Sequence, residues 1–135
     1  MAAKLDAAVR YPRPLMDKLG IKPDSVVSVL GVNDADFRAQ LAARVPRMRE
    51  GKARKDSDVI VVRIDSRREL PRLKKLRAAI KKNGAIWVVW PKGRKEFRED
   101  DVRAYGPEVG LVDVKVVSVS DVLSGLKMVI PVKLR

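Results

Sequence analysis

Neither cysteine nor histidine occurs among the 135 residues. Without cysteine there are no disulfides, no thiolate nucleophiles and no zinc–sulfur sites. Without histidine the commonest general base and the commonest transition-metal ligand are missing. No catalytic residue and no metal site is assigned. Aromatic residues make up only 4% of the chain, too few for a series of base-stacking platforms. No apolar run approaches the 18 or so residues of a membrane span. The opening Met1-Ala2-Ala3-Lys4-Leu5-Asp6 has no apolar signal-peptide core. The expectation is a cytoplasmic protein that makes no membrane contact. Acids are also scarce: 17 Asp and Glu stand against 30 Lys and Arg, a net charge of +13. A field of that sign attracts polyanions.

Apolar content is ample. At 46% hydrophobic residues the chain can bury a core, and its length suits one domain. We read residues 1–135 as a single α/β domain, with 1–12 as a frayed N-terminal segment. The clearest stretch is Ala85–Trp90, followed by Pro91-Lys92-Gly93. Together with Val59–Ile64 and Val26–Leu30 it is apolar on both faces, as in parallel strands covered by helices on two sides. In the tryptophan strand, Ile86, Val88 and Trp90 should face one way and Trp87 and Val89 the other.

The intervening segments read as helices and loops. Pro14 opens a short helix that Gly20 closes. Asn33 or Asp34 caps a helix with Phe37, Leu41 and Val45 on one stripe. Arg47–Glu50 is a weak edge strand, followed by a basic loop to Ser57. Ser66-Arg67-Arg68-Glu69 has capping-box spacing and starts a basic helix that the pattern predicts to run to Lys82, with Leu70, Leu73, Leu76 and Ile80 inward. Pro71 sits late for its first turn. Phe97–Tyr105 is a short helix broken at Gly106-Pro107. Leu111–Val119 and Leu126–Val132 are strands joined by a turn over Ser120–Gly125, with a slip of parity at Val117 that suggests a bulge. A turn that short makes the last two strands antiparallel.

The fold class that follows is α/β: a Rossmann-like three-layer sandwich whose mostly parallel sheet ends in a C-terminal antiparallel hairpin. It resembles the class I methyltransferase fold. Four motifs resemble a bacterial family known as domain of unknown function 3052: Leu19-Gly20-Ile21-Lys22-Pro23, Ile86-Trp87-Val88-Val89-Trp90-Pro91-Lys92, Gly110-Leu111-Val112-Asp113-Val114-Lys115-Val116 and Ser124-Gly125-Leu126-Lys127. That family resembles small methyltransferase-like folds. The resemblance implies architecture and not chemistry.

Ligands of open α/β sheets gather beyond the carboxyl ends of the strands. The candidate ligand edge is Gly31, Asn33, Ser66, Arg67, Lys92 and Arg94, an anion-friendly set. Only one glycine follows the first strand, and Glu50 is the sole nearby acid for ribose hydroxyls. No cofactor is assigned, and S-adenosylmethionine is expected to bind weakly or not at all. Lys74, Lys75, Lys81 and Lys82 are the candidate polyanion-binding residues on the basic helix. The resulting expectation is a non-enzymatic, methyltransferase-like binding module whose partner is anionic, nucleic acid or an acidic protein surface. One alternative is an S-adenosylmethionine- or nucleotide-dependent transferase with a glycine-poor loop. Another is a structural subunit that forms a homo-oligomer through its hairpin edge.

Overall fold

The computed structural model describes residues 13–135; the segment 1–12, read above as frayed, lies outside the described residues. Six strands form one sheet: β1 (Val27–Leu30), β2 (Met48–Glu50), β3 (Ser57–Arg63), β4 (Ile80–Pro91), β5 (Val112–Ser118) and β6 (Leu123–Val129). Their spatial order is β2-β1-β3-β4-β6-β5. The pairs β1–β2, β1–β3 and β3–β4 are parallel, whereas β6 runs antiparallel to both β4 and β5. The three strands read from two-sided apolarity are thus adjacent and parallel. The last strand is not at the edge. It slots between β4 and β5, a placement that no local pattern encodes.

Among the described residues, four α-helices cover the sheet: α1 (Leu15–Lys18), α2 (Ala35–Arg44), α3 (Arg72–Ala79) and α4 (Glu99–Tyr105). One core layer joins Leu15, Met16 and Leu19 at α1 and Phe37, Leu41 and Val45 at α2 to Trp87 and Val89. The other joins Leu73 and Leu76 of α3 and Phe97 and Val102 at α4 to Ile86, Val88 and Trp90. The alternation along β4 therefore divides the core as its parity requires. Asp34 caps α2, its carboxylate accepting from the Phe37 N–H at 2.9 Å. Trp87 is fully buried, and its indole N–H donates to the Leu19 carbonyl at 3.0 Å, tying the end of α1 to the central strand.

Several boundaries differ from the sequence pattern. The basic helix does not start at Arg67 or reach Lys82. Residues Arg67–Glu69 form a 3₁₀ turn, Pro71 occupies the position before α3, and the helix ends at Ala79. Proline lacks the N–H needed to continue a helix through it, so the regular helix begins after it. The expected capping box is rearranged: Glu69 accepts from the Asp65 N–H and the Ser66 hydroxyl. From Ile80 the chain is extended, and between the pairs Ser57–Ile80 and Val59–Ala85 it bulges away from β3. Ile80 is buried, and Lys81 reaches back to Asp58 at 2.9 Å. These tertiary contacts outweigh the helix-ending signals in Lys81-Lys82-Asn83-Gly84.

At the C-terminus, β6 begins at Leu123 rather than Leu126 and ends before Pro131. The turn is correspondingly shorter, and Val132, expected in the strand, is exposed in a 3₁₀ turn. Gly125 is a strand residue: a Cβ there would stand 3.0 Å from Val119 Cγ2 and 3.4 Å from Trp87 Cε3. Its role is to make room beside the indole. The β5 irregularity falls between Asp113 and Lys115, earlier than the parity slip suggested.

The crossover from β2 to β3 has no helix of its own. Residues 51–56 span it, far fewer than the dozen or so usual between parallel strands. It is anchored from inside. Ser28 and Ser57 are fully buried and share a hydrogen bond of 3.0 Å; the Arg54 N–H donates to Ser28 Oγ at 2.8 Å, and Ser57 Oγ donates to the Arg54 carbonyl. No buried side-chain polar atom among the described residues lacks a partner.

Candidate functional site

The strand order reverses at β1. The chain leaves β1 for β2 on one side and returns to β3 on the other. In open α/β sheets such a switch point opens a crevice beyond the carboxyl ends of the strands. Here that edge carries the Gly31 turn after β1, Glu50 at the end of β2, Asp65-Ser66-Arg67 after β3 and, from Pro91 at the end of β4, the loop to Lys95.

Gly31 has φ +77°, and a Cβ would lie only at an ordinary 3.5 Å from Arg63 Cβ. The left-handed backbone, not lack of space, is what calls for glycine there. Arg38 of α2 clasps this turn. One of its amino groups donates to the Val32 carbonyl at 3.1 Å, and the other pairs with Glu50 Oε1. Glu50 lies level with Val29 in the β1–β2 register, and its second carboxylate oxygen has no partner among the described residues.

The six residues of the expected ligand edge stand at three neighbouring strand ends but do not converge. Gly31 and Asn33 belong to the β1 turn. Ser66 is committed to Glu69 at 3.2 Å. Arg67 pairs with Asp101 at 2.8 Å, joining the 3₁₀ turn to α4. The Arg98 N–H first, and Arg67 next, hold the Asp101 carboxyl below its usual range. Lys92 donates to Ser118 Oγ at 2.7 Å. Lys92 and Arg94 share a cavity of about 310 Å³ that Trp90, Phe97, Arg98 and Ser124 also line. Arg98 was missed in the sequence because it reads as a helix-leading residue. Arg38 was missed because nothing local links it to Glu50.

The four lysines taken as a polyanion set do not share a helix face. Lys74 and Lys75 are exposed on α3, while Lys81 and Lys82 belong to β4. Lys81 is also neutralised by Asp58. Burial alone would raise the Asp58 carboxyl, but the Val26 N–H and Lys81 outweigh it and hold the group below its ordinary value. Among the described residues, no group of three or more His, Cys, Asp or Glu is placed to hold a metal ion, and no helix is long and apolar enough to cross a membrane.

No family model matches the chain, and no curated protein matches it. Solved structures do. A TehB-like SAM-dependent methyltransferase from Corynebacterium glutamicum superimposes with a TM-score of 0.59 at 14% identity, over 95% of this chain and 94% of that one. A SAM-dependent methyltransferase from Aquifex aeolicus gives 0.58 at 14% identity, over 86% and 87%. A SAM-dependent O-methyltransferase from Thermotoga maritima gives 0.63 at 11% identity, over 86% of this chain and 63% of that one. At such identities the likeness is one of fold. The chain has an α/β, Rossmann-type fold of the class I methyltransferase kind, with a six-stranded, mostly parallel sheet closed by an antiparallel pair.

Proposed function

We propose that the chain binds an adenosyl ligand, S-adenosylmethionine before a nucleotide, at the switch point between β1 and β3 and acts as a transferase of the class I methyltransferase type. This departs from the non-enzymatic module expected from the sequence. The fold likeness to SAM-dependent methyltransferases supports it. The observation that carries it is the pairing of the Gly31 turn with Glu50. A dinucleotide-type site needs a turn whose backbone a ligand can approach, then an acid about 20 residues later for ribose hydroxyls. Gly31 at φ +77° and Glu50 at the end of the neighbouring strand fill those roles. Arg38 orients the Glu50 carboxylate and leaves its other oxygen to accept a hydroxyl. When bound, S-adenosylmethionine supplies a methyl group activated by its sulfonium. The chain's own part is to present Gly31 backbone and Glu50 to the adenosyl portion. The narrower reading, membership of the domain of unknown function 3052 family, rests on the four sequence motifs.

Calorimetric titration with S-adenosylmethionine tests this. The expected dissociation constant lies in the micromolar range, roughly −7 to −8 kcal/mol. Glu50→Ala removes a hydrogen bond to a charged acceptor, about 1.5–3 kcal/mol, so affinity should fall about 10- to 150-fold. Absence of saturable heat at millimolar ligand, or wild-type affinity in Glu50→Ala, refutes the assignment.

A further inference from the structure

We propose that the opposite, amino edge of the sheet is a groove for the phosphodiester backbone of a polynucleotide, gripped by Arg47, Arg49 and Arg54. This site is independent of the adenosyl edge, so either can fail alone.

Two cavities meet at this edge, sharing Asp24 and Ser25. The first, about 430 Å³, is lined by Arg47, Arg49 and Arg54 among others. The second, about 340 Å³, is lined by Lys22, Lys81, Asn83 and Lys127 together with Asp58. The combined groove presents these six cations against Asp24 and Asp58, and Asp58 is already taken by Lys81 and the Val26 N–H. The three arginines make no ion pair and no side-chain hydrogen bond among the described residues. Elsewhere Arg38, Arg44, Arg63, Arg67, Arg72 and Arg103 each hold a carboxylate. Arg68 and Arg94 likewise hold no carboxylate among the described residues, but they stand apart from each other; Arg47, Arg49 and Arg54 are three such arginines that line one cavity.

Charge on an edge strand can simply prevent edge-to-edge pairing. That accounts for Arg47 and Arg49 beside the short β2, but not for Arg54. Arg54 lies on the crossover, and its backbone is fixed through the fully buried Ser28–Ser57 pair. A guanidinium carried on an anchored backbone and lining the same cavity is suited to hold an anion. Burial, and then the neighbouring Lys115, push the Lys127 ammonium below its usual value. An arriving phosphate would relieve that repulsion. Arginine forks suit phosphate oxygens bidentately, and such contacts position a strand without reading its sequence. With both tryptophans in the core, stacking adds no base preference.

The test is fluorescence anisotropy with labelled oligonucleotides of one composition as single-stranded RNA, single-stranded DNA and duplex DNA, at about 50 and about 200 mM salt. Arg47→Ala/Arg49→Ala/Arg54→Ala is compared with Arg68→Ala/Lys74→Ala/Lys75→Ala, which removes equal charge from the α3 side. The groove variant should bind at least about 10-fold more weakly at low salt, with its salt slope reduced by about 2 on single strands and about 3 on duplex for three lost phosphate contacts. The α3 variant should stay near wild type. Arg47→Lys/Arg49→Lys/Arg54→Lys should recover the part of the loss that is charge alone and not the bidentate part, which separates lost contacts from lost folding. The arms distinguish RNA from DNA and single strand from duplex as the source of the phosphodiester. No binding at low salt, equal weakening by both alanine variants, or equal competition by polyglutamate, which would indicate an acidic protein partner, overturns the proposal.

Discussion

Replacing Trp87 by phenylalanine should destabilise the fold well beyond the same change at Trp90. Both side chains sit in the same strand and are nearly or fully buried, at 0% and 4% exposure. They differ in one respect. The Trp87 indole N–H donates to the Leu19 carbonyl, whereas Trp90 makes no side-chain hydrogen bond among the described residues. Each substitution removes a similar set of ring atoms and leaves a void costing about 1 kcal/mol. Trp87→Phe also strands the Leu19 carbonyl, which has no other protein partner among the described residues. An unsatisfied buried acceptor costs about 1–3 kcal/mol. Trp87→Phe should therefore cost about 2–4 kcal/mol and Trp90→Phe about 1 kcal/mol. Urea unfolding followed by far-UV circular dichroism measures both; an unchanged slope would place the effect in stability rather than in denatured-state compactness. Equal losses in the two variants would refute the role given to the hydrogen bond. A loss below about 0.5 kcal/mol for Trp87→Phe would refute its burial against α1.

Gly106→Ala should also be destabilising, by about 1–3 kcal/mol. Its Cβ would meet Met128 Cε at 2.5 Å and the Leu111 carbonyl oxygen at 2.9 Å, and backbone is slower to yield than a methionine tip; thermal unfolding at wild-type stability would sink the overpacking argument. Asp58 gives a pH signature. Its folded carboxyl titrates below the ordinary 3.8, because the Val26 N–H and Lys81 outweigh the raising effect of burial. Its stabilising contribution is therefore present above the ordinary value of 3.8 and lost as pH falls through the lower folded value. The stability gap between wild type and Asp58→Asn should be constant at neutral pH and close in that acid range. A gap that widens on acidification would contradict the assigned direction.

Burial on two faces was legible at Val26–Leu30, Val59–Ile64 and Ala85–Trp90, because strands covered by helices must be apolar throughout; within those bounds only Val26 and Arg63 are half-buried. The division of β4 between two core layers, the Asp34 cap and the Phe37-Leu41-Val45 stripe were equally local. What the local pattern misjudged was decided by partners distant in the chain. Lys81-Lys82-Asn83-Gly84 carries helix-ending chemistry, yet the buried Ile80 and the Lys81–Asp58 pair draw it into the sheet. Gly125 reads as a turn residue, yet it is a strand residue making room for Trp87. Sites are harder still to read. Gly31 and Glu50 were visible singly, but their adjacency depends on β2 lying beside β1, and the clasp between them comes from Arg38. The amino-edge groove draws on Lys22, Arg47, Arg49, Arg54, Lys81 and Lys127, side chains scattered along the chain and gathered only by the order β2-β1-β3-β4-β6-β5. Periodicity and capping are properties of neighbours in sequence and so can be read there. Strand order is fixed by competition among long-range pairings, and with it the edge at which each charge is displayed.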